Sequence, residues 1–168
     1  WGNEQKGGKA GIISEALRSG VIDIVSTAEA FAALKRDGSV ITWWETNAGG
    51  DSSNVSNKLL FGVTQIFSNQ SAFAAIKQDG SVVTWGDANN GGNSSIVENQ
   101  LSSGVKHIYS TERAFAALKE DGSVVTWGDA DYGGDQNEIS KKRINNVKSI
   151  VPNDDAFAAL KTDGSVKA

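Results

Sequence analysis

The chain has 168 residues, enough to bury a core, and its 39% hydrophobic and 21% charged residues exclude a disordered chain. A net charge of −4 lacks the basic stripe that nucleic-acid or anionic-membrane binding requires, so neither partner is expected. With no Cys there are no disulfides, thiolate metal sites or Cys nucleophiles, and no apolar run approaches the roughly 18 residues of a membrane span, so insertion is not expected.

One period organises the whole chain. Phe31, Phe73, Phe115 and Phe157 stand 42 residues apart, and Trp1, Trp43, Trp85 and Trp127 keep the same step. Four such units, about 1–42, 43–84, 85–126 and 127–168, account for the chain without insertion or deletion.

In chain order, each unit first offers a short segment with apolar residues four apart: Ile13 and Leu17, Val55 and Leu59, Val97 and Leu101. That spacing predicts a helix of about two turns, with Ser53 and Ser95 as N-caps and Gly20, Gly62, Gly104 and Asn146 as left-handed C-terminal residues. The fourth copy, with Lys141-Lys142-Arg143, is the poorest case. A first strand follows, clearest in the third unit at Val105–Ser110. The second, Ala114–Lys119, points Phe115 and Ala117 to one face and Ala114, Ala116 and Leu118 to the other. Both faces are apolar, so the strand is expected to be buried on both sides, with alanines where sheets approach closely. Asp121-Gly122 predicts a hairpin, both residues tolerating positive φ, and Ser123–Trp127 returns as the third strand. Residues 129–137 then form a Gly- and Asp-rich loop around Gly133-Gly134.

A three-stranded sheet apolar on both faces must stack on a neighbour, and radially arranged sheets with a period of ~40–50 residues are propellers. The fold expected is therefore mainly β: a β-propeller-type array of four blades, each of three antiparallel strands plus a short helix. The run from Gly104 through Ala114-Phe115-Ala116-Ala117-Leu118-Lys119, Asp121-Gly122 and Trp127-Gly128 to Tyr132-Gly133 resembles the regulator-of-chromosome-condensation repeat. The resemblance covers every unit, is closest to compact bacterial members, and implies a seven-bladed propeller. Three departures stand out. The family's histidine before the small apolar strand is missing, its Gly-Gln-Leu-Gly loop is replaced by Gly-Gly-Asp or Gly-Gly-Asn, and Trp44 stands where other units have Gly2, Gly86 and Gly128. Nucleotide exchange on a small GTPase is not carried over, since the special loops it depends on are not found.

The ends, Trp1-Gly2 and Gly164–Ala168, each carry part of a third strand, and the chain contains no Met. The expectation is a segment of a longer array, or assembly between molecules, ahead of a closed ring of four.

No residue set makes a catalytic, cofactor or metal site. His107 is the only His, and Asp23, Gln65 and Ser149 fill its slot elsewhere, so no triad is expected. Asp129, Asp131 and Asp135 faintly resemble a calcium loop, but no carboxylate holds the twelfth position, and the expected role is Asp and Asn capping their own turns. The strand-end tryptophans are expected to be packing residues, with Trp44 the best candidate for exposed contact surface. Lys35, Lys77, Lys119 and Lys161 are expected to be solvated or hydrogen-bonded strand ends, and the sequons at Asn54, Asn69 and Asn93 to be incidental.

The expected function is a non-enzymatic repeat scaffold for protein interaction or structural assembly, within a large bacterial extracellular or surface protein, with a protein partner or self-association through terminal blades. The alternative is a recognition or inhibitor propeller binding one protein through its variable loops, such as Glu4–Lys9 and Glu45–Asp51. The extracellular placement rests on the acidic, Ser- and Asn-rich, cysteine-free composition.

Overall fold

A computed structural model describes residues 11–137 and 144–168. Among these residues, twelve strands form four separate three-stranded antiparallel sheets, each in simple meander order. The first sheet holds β1 (Val21–Ser26), β2 (Ala30–Lys35) and β3 (Val40–Trp44), and the second β4 (Val63–Ser68), β5 (Ala72–Lys77) and β6 (Val82–Gly86). The third holds β7 (Val105–Ser110), β8 (Ala114–Lys119) and β9 (Val124–Gly128), and the fourth β10 (Val147–Pro152), β11 (Phe157–Lys161) and β12 (Val166–Lys167). Blade count, strand number and strand order agree with the sequence reading. The sheets straddle the unit boundaries drawn at 42, 84 and 126, which fall inside β3, β6 and β9.

The core lies between blades rather than within them. Ala30, Ala32 and Leu34 of β2 pack against Val63, Ile66, Phe73, Ala75, Val83 and Trp85 of the second sheet. Ala72, Ala74 and Ile76 meet Val105, Ile108, Phe115, Ala117, Val125 and Trp127 in the same way, and Ala116 and Leu118 meet Val147, Ile150 and Ala159. Each sheet thus has a leading face, carrying the Phe and Trp, and a trailing face of small residues. Both faces of β5 and β8 are buried, as alternation predicts.

A β-bulge sets the leading face. Val105 and Ile108 are three apart, a spacing that puts residues on opposite sides of a regular strand, yet both are buried in one cluster. The register between β7 and β8 shifts between Val105 and His107, which turns both residues inward and Lys106 outward. The same shift recurs in the other three blades.

The hairpin is longer than the two-residue turn that Asp-Gly suggests. Lys119 N–H donates to Ser123 carbonyl and Gly122 N–H to Lys119 carbonyl, leaving a three-residue loop in which Gly122, and not Asp121, has positive φ. Asp121 instead accepts from Ser123 N–H at 2.9 Å and Ser123 Oγ at 2.6 Å, and these bonds hold its carboxyl below the usual carboxylate range. The turn glycine is also where blades touch. A Cβ on Gly38 would lie 2.5 Å from Gly62 N, and the Gly38 carbonyl accepts from Val63 N–H of the next blade at 3.0 Å. Gly80 with Val105 and Gly122 with Val147 repeat the bond.

The short helix expected between blades is present, with 3₁₀ geometry, at Gly11–Ser14, Ser53–Lys58 and Ser95–Val97. The segments are too short to nucleate an α-helix, and their Ser and Asn side chains compete for backbone groups. One i→i−4 bond survives at the predicted spacing in two copies, Leu17 N–H to Ile13 carbonyl and Leu101 N–H to Val97 carbonyl. Ser53 and Ser95 are not caps. Their N–H groups are held by Asp51 and Asn93 side chains, at 2.8 and 3.0 Å. Gly20, Gly62, Gly104 and Asn146 do take positive φ. Lys141-Lys142-Arg143 lies outside the described residues.

Candidate functional site

Two kinds of surface emerge from this architecture. The first is the pair of sheet faces with no blade against them. On the leading face of blade one, Ile24 is 57% exposed where its counterparts Ile66, Ile108 and Ile150 are buried. Phe31 and Trp43 are half-buried there, yet their rings already stack, with centroids 5.2 Å apart, as Phe73 on Trp85 does in a filled junction. On the trailing face of blade four, Val151 and Val166 are each 62% exposed, Ala156 is exposed, and Ala158 and Leu160 are half-buried. Among the described residues, then, these two faces do not meet each other.

The second is a groove repeated between neighbouring loops. One of about 530 Å³ is lined by Asn47, Asp51, Asn54, Trp85 and Asp87 among others. Its counterpart one step on, about 740 Å³, is lined by Asn89, Asn93, Ile96, Trp127 and Asp129 among others. The composition changes at the rim, where Asn54 becomes Ile96, 97% exposed. Sequence reasoning flagged the loops as variable but gave no signal for a groove, which needs two loops side by side.

The sequence-named residues fall mostly into packing roles. Trp85 and Trp127 are buried and donate from Nε1 to the carbonyls of Gly49 and Gly91 on the preceding loop, at 3.1 and 3.0 Å. Trp44 is exposed as expected, and its φ of 89° is the left-handed value that Gly86 and Gly128 supply elsewhere. The bond beside it is looser, Glu45 N–H to Glu29 carbonyl at 3.2 Å against 2.9 Å for Asp87 to Ser71. His107 sits edge-on between Phe67 and Tyr109, and burial lowers its pKa from the usual imidazole value.

The acidic loop does not converge on a point. Asp129 accepts from Asp131 N–H and Asp135 from Asn137 N–H, so both cap their own turns. No group of three His, Cys, Asp or Glu side chains that could hold a metal occurs among the described residues. Lys35, Lys77 and Lys119 donate to the carbonyls of Ala16, Lys58 and Gln100, at or just after the end of each 3₁₀ segment. For Lys161 the corresponding segment lies outside the described residues, as does the loop Glu4–Lys9. Asn69 is buried, with Oδ1 accepting from Ala72 N–H and Nδ2 donating to Asn90 carbonyl, which makes its sequon a structural cap. Among the described residues no helix is long and apolar enough to cross a membrane.

No family model and no curated protein matches the sequence. Solved structures do match in shape. Prp20p from Saccharomyces cerevisiae, named in a second match as yeast RCC1, aligns at 19% identity with a TM-score of 0.56, covering 87% of this chain and 42% of its own. The CRINKLY WD40 ectodomain of the Arabidopsis thaliana receptor kinase ACR4 aligns at 14% identity and 0.54, covering 88% and 51%. Human WBSCR16 aligns at 15% and 0.53, covering 87% and 46%. The chain thus spans about half the length of these proteins, or less. At such identities the likeness speaks to fold, and the fold is that of an RCC1-type β-propeller repeat array.

Proposed function

We propose that this chain is a non-enzymatic repeat scaffold for protein interaction or structural assembly, engaging protein through its terminal blades. The observation that carries this reading is the pair of open apolar faces, Ile24, Phe31 and Trp43 at one end and Val151, Leu160 and Val166 at the other. Apolar sheet surface of this kind marks an interaction site, and terminal blades of a free-standing array ordinarily present polar outer faces. The reactive groups are meanwhile spent on structure: the imidazole packs between aromatics and carboxylates cap turns. Prp20p, which shares the fold, was described together with its binding to Gsp1p and histones, which makes protein partners a natural use of such blades. The composition favours work outside the cell or at its surface.

A photoreactive residue placed at Ile24 or at Val151 tests the reading in the native setting. Protein adducts from both positions, and none from the solvated hairpin position Arg36, are expected. Absence of adducts from both faces would overturn it. The change from Asn54 to Ile96 between equivalent grooves favours a second reading, recognition of one protein by the loops. Adducts from Ile96 in place of the blade faces would identify that case.

A further inference from the structure

We propose that the occupant of both open faces is a second copy of this chain: blade four of each copy docks on blade one of the other, and two copies close an eight-bladed ring. The inference rests on the scaffold reading and names its partner.

The two faces are the halves of a junction already made three times within the chain. In the first junction, the trailing residues Ala30, Ala32, Leu34, Val25 and Val40 meet the leading residues Ile66, Phe73, Ala75, Val83 and Trp85. Three repeats on, the trailing set reads Ala156, Ala158, Leu160, Val151 and Val166, identical position by position. The open leading set reads Ile24, Phe31, Ala33, Ile41 and Trp43, with Ile for Val as the single change. The Phe31–Trp43 stack is preformed at an interplanar angle of 14°, against 19° and 25° in the filled junctions, so docking need not reorder it.

The polar half of the junction is available as well. Each internal junction carries a bond from the first strand of one blade to the hairpin Gly carbonyl of the previous one, and Val21 N–H and Gly164 carbonyl hold those places on the open edges. Ser68 Oγ and Ser110 Oγ donate one step back, to the carbonyls of Ser26 and Ser68. At the new junction Ser26 Oγ would donate to the carbonyl of Pro152. Proline lacks the donor but keeps the acceptor, so the substitution is silent there.

The two faces differ from each other, so the contact is heterologous and must either close or run on as a filament. Propellers typically hold about 4–8 blades. The described residues of one copy of this 168-residue stretch hold four sheets, two copies hold eight, and three would exceed the range. Two copies bury every apolar face.

Size-exclusion chromatography with light scattering on the purified 168-residue chain tests this directly. The expected mass is twice 17.7 kDa, about 35 kDa. Ile24→Lys and Val151→Lys alter side chains that are already exposed in the single chain, so folding by circular dichroism should be unchanged while each variant runs at 17.7 kDa. Mixing the two should restore a dimer, because each retains the face the other has lost; a contact in which each face meets its own counterpart gives no such rescue. Ile96→Lys, in a groove, should stay dimeric. A wild-type monomer at all concentrations, open filaments, or a dimer indifferent to Ile24→Lys would each overturn the proposal. A monomer that still yields adducts from Ile24 and Val151 in the native setting would sink the second copy and leave the scaffold standing.

Discussion

Phe115→Ala puts the claim that the core lies between blades to a quantitative test. The ring is fully buried, stacks on Trp127 with centroids 5.4 Å apart, and covers Gly91 so closely that a Cβ there would lie 2.6 Å from it. The facing wall offers little to fill the gap, since Ala72, Ala74 and Ala117 carry short side chains and Gly91 none, so relaxation would have to come from the larger members of the cluster such as Leu101 and Ile108. A buried phenylalanine covers about 150–250 Å², which at about 25 cal/mol per Å² gives ~4–6 kcal/mol before subtracting what alanine retains. A cost of about 3–5 kcal/mol is expected, as for other Phe→Ala cavities. Measured by urea denaturation and tryptophan fluorescence, that is a large share of the ~5–15 kcal/mol available to a domain. Because each blade touches only its neighbours, hydrogen exchange should quicken first in β5 to β9 and last in β2 and β3. Phe31→Ala, on the open leading face, should cost the monomeric Val151→Lys background roughly half as much. A Phe115→Ala cost under about 1 kcal/mol, or equal costs for the two in that background, would refute the reasoning.

Three further substitutions probe single features. Trp44→Gly should raise stability by up to about 1 kcal/mol, since a bulky residue at φ 89° carries a left-handed penalty of about 1–2 kcal/mol that glycine avoids; a lower thermal midpoint would contradict it. Thr84 Oγ1 bonds Gly92 carbonyl and Ser94 Oγ, whereas buried Thr126 Oγ1, with Gln136 in place of that serine, finds no partner among the described residues. Thr126→Val should therefore be neutral or stabilising by about 1 kcal/mol, while Thr84→Val should cost about as much, both read from denaturation midpoints. Burial depresses the pKa of His107, so folding favours the neutral imidazole. Its contribution is complete above the unfolded value of about 6.5 and is lost as pH falls from there through the lower folded value. His107→Gln, the side chain of the second copy, should flatten that part of the stability–pH curve, and an unchanged curve would dismiss the imidazole as its source.

The blades were legible because their signals are short-range and repeated. The alternation through Ala114–Lys119 and the Asp-Gly turn recur at one spacing in every copy, and each fixes a strand or a bend without help from distant residues. What escaped required partners from elsewhere in the chain. The bulge at Lys106 is a matter of register against β8, and only pairing reveals that Val105 and Ile108 share a face. The segments after the loops have helical spacing in sequence, but Asp51 and Asn93 take the capping role and 3₁₀ geometry results. The grooves need two loops at once. His107 looked like an idle polar slot because its aromatic neighbour Phe67 lies one blade away.

Repeats that share their junction residues couple folding to recognition. In a chain whose units differ, an inner junction can be optimised while the outer faces are made polar, as capping repeats do. Here the period forbids that separation: Ala30, Ala32 and Leu34, which seal the first junction, are by sequence the same residues that stand open as Ala156, Ala158 and Leu160. On the proposed dimer, the affinity that holds blade two to blade one would be largely reproduced between blade four and a free blade one, reduced by the entropy of bringing two molecules together. A lysine at exposed Ile24 should then remove the proposed docking without touching any internal junction, whereas a lysine at the buried, equivalent Ile66 should break the fold itself. The difference between those two substitutions, identical in chemistry and one repeat apart, separates what the junction does for stability from what it does for assembly.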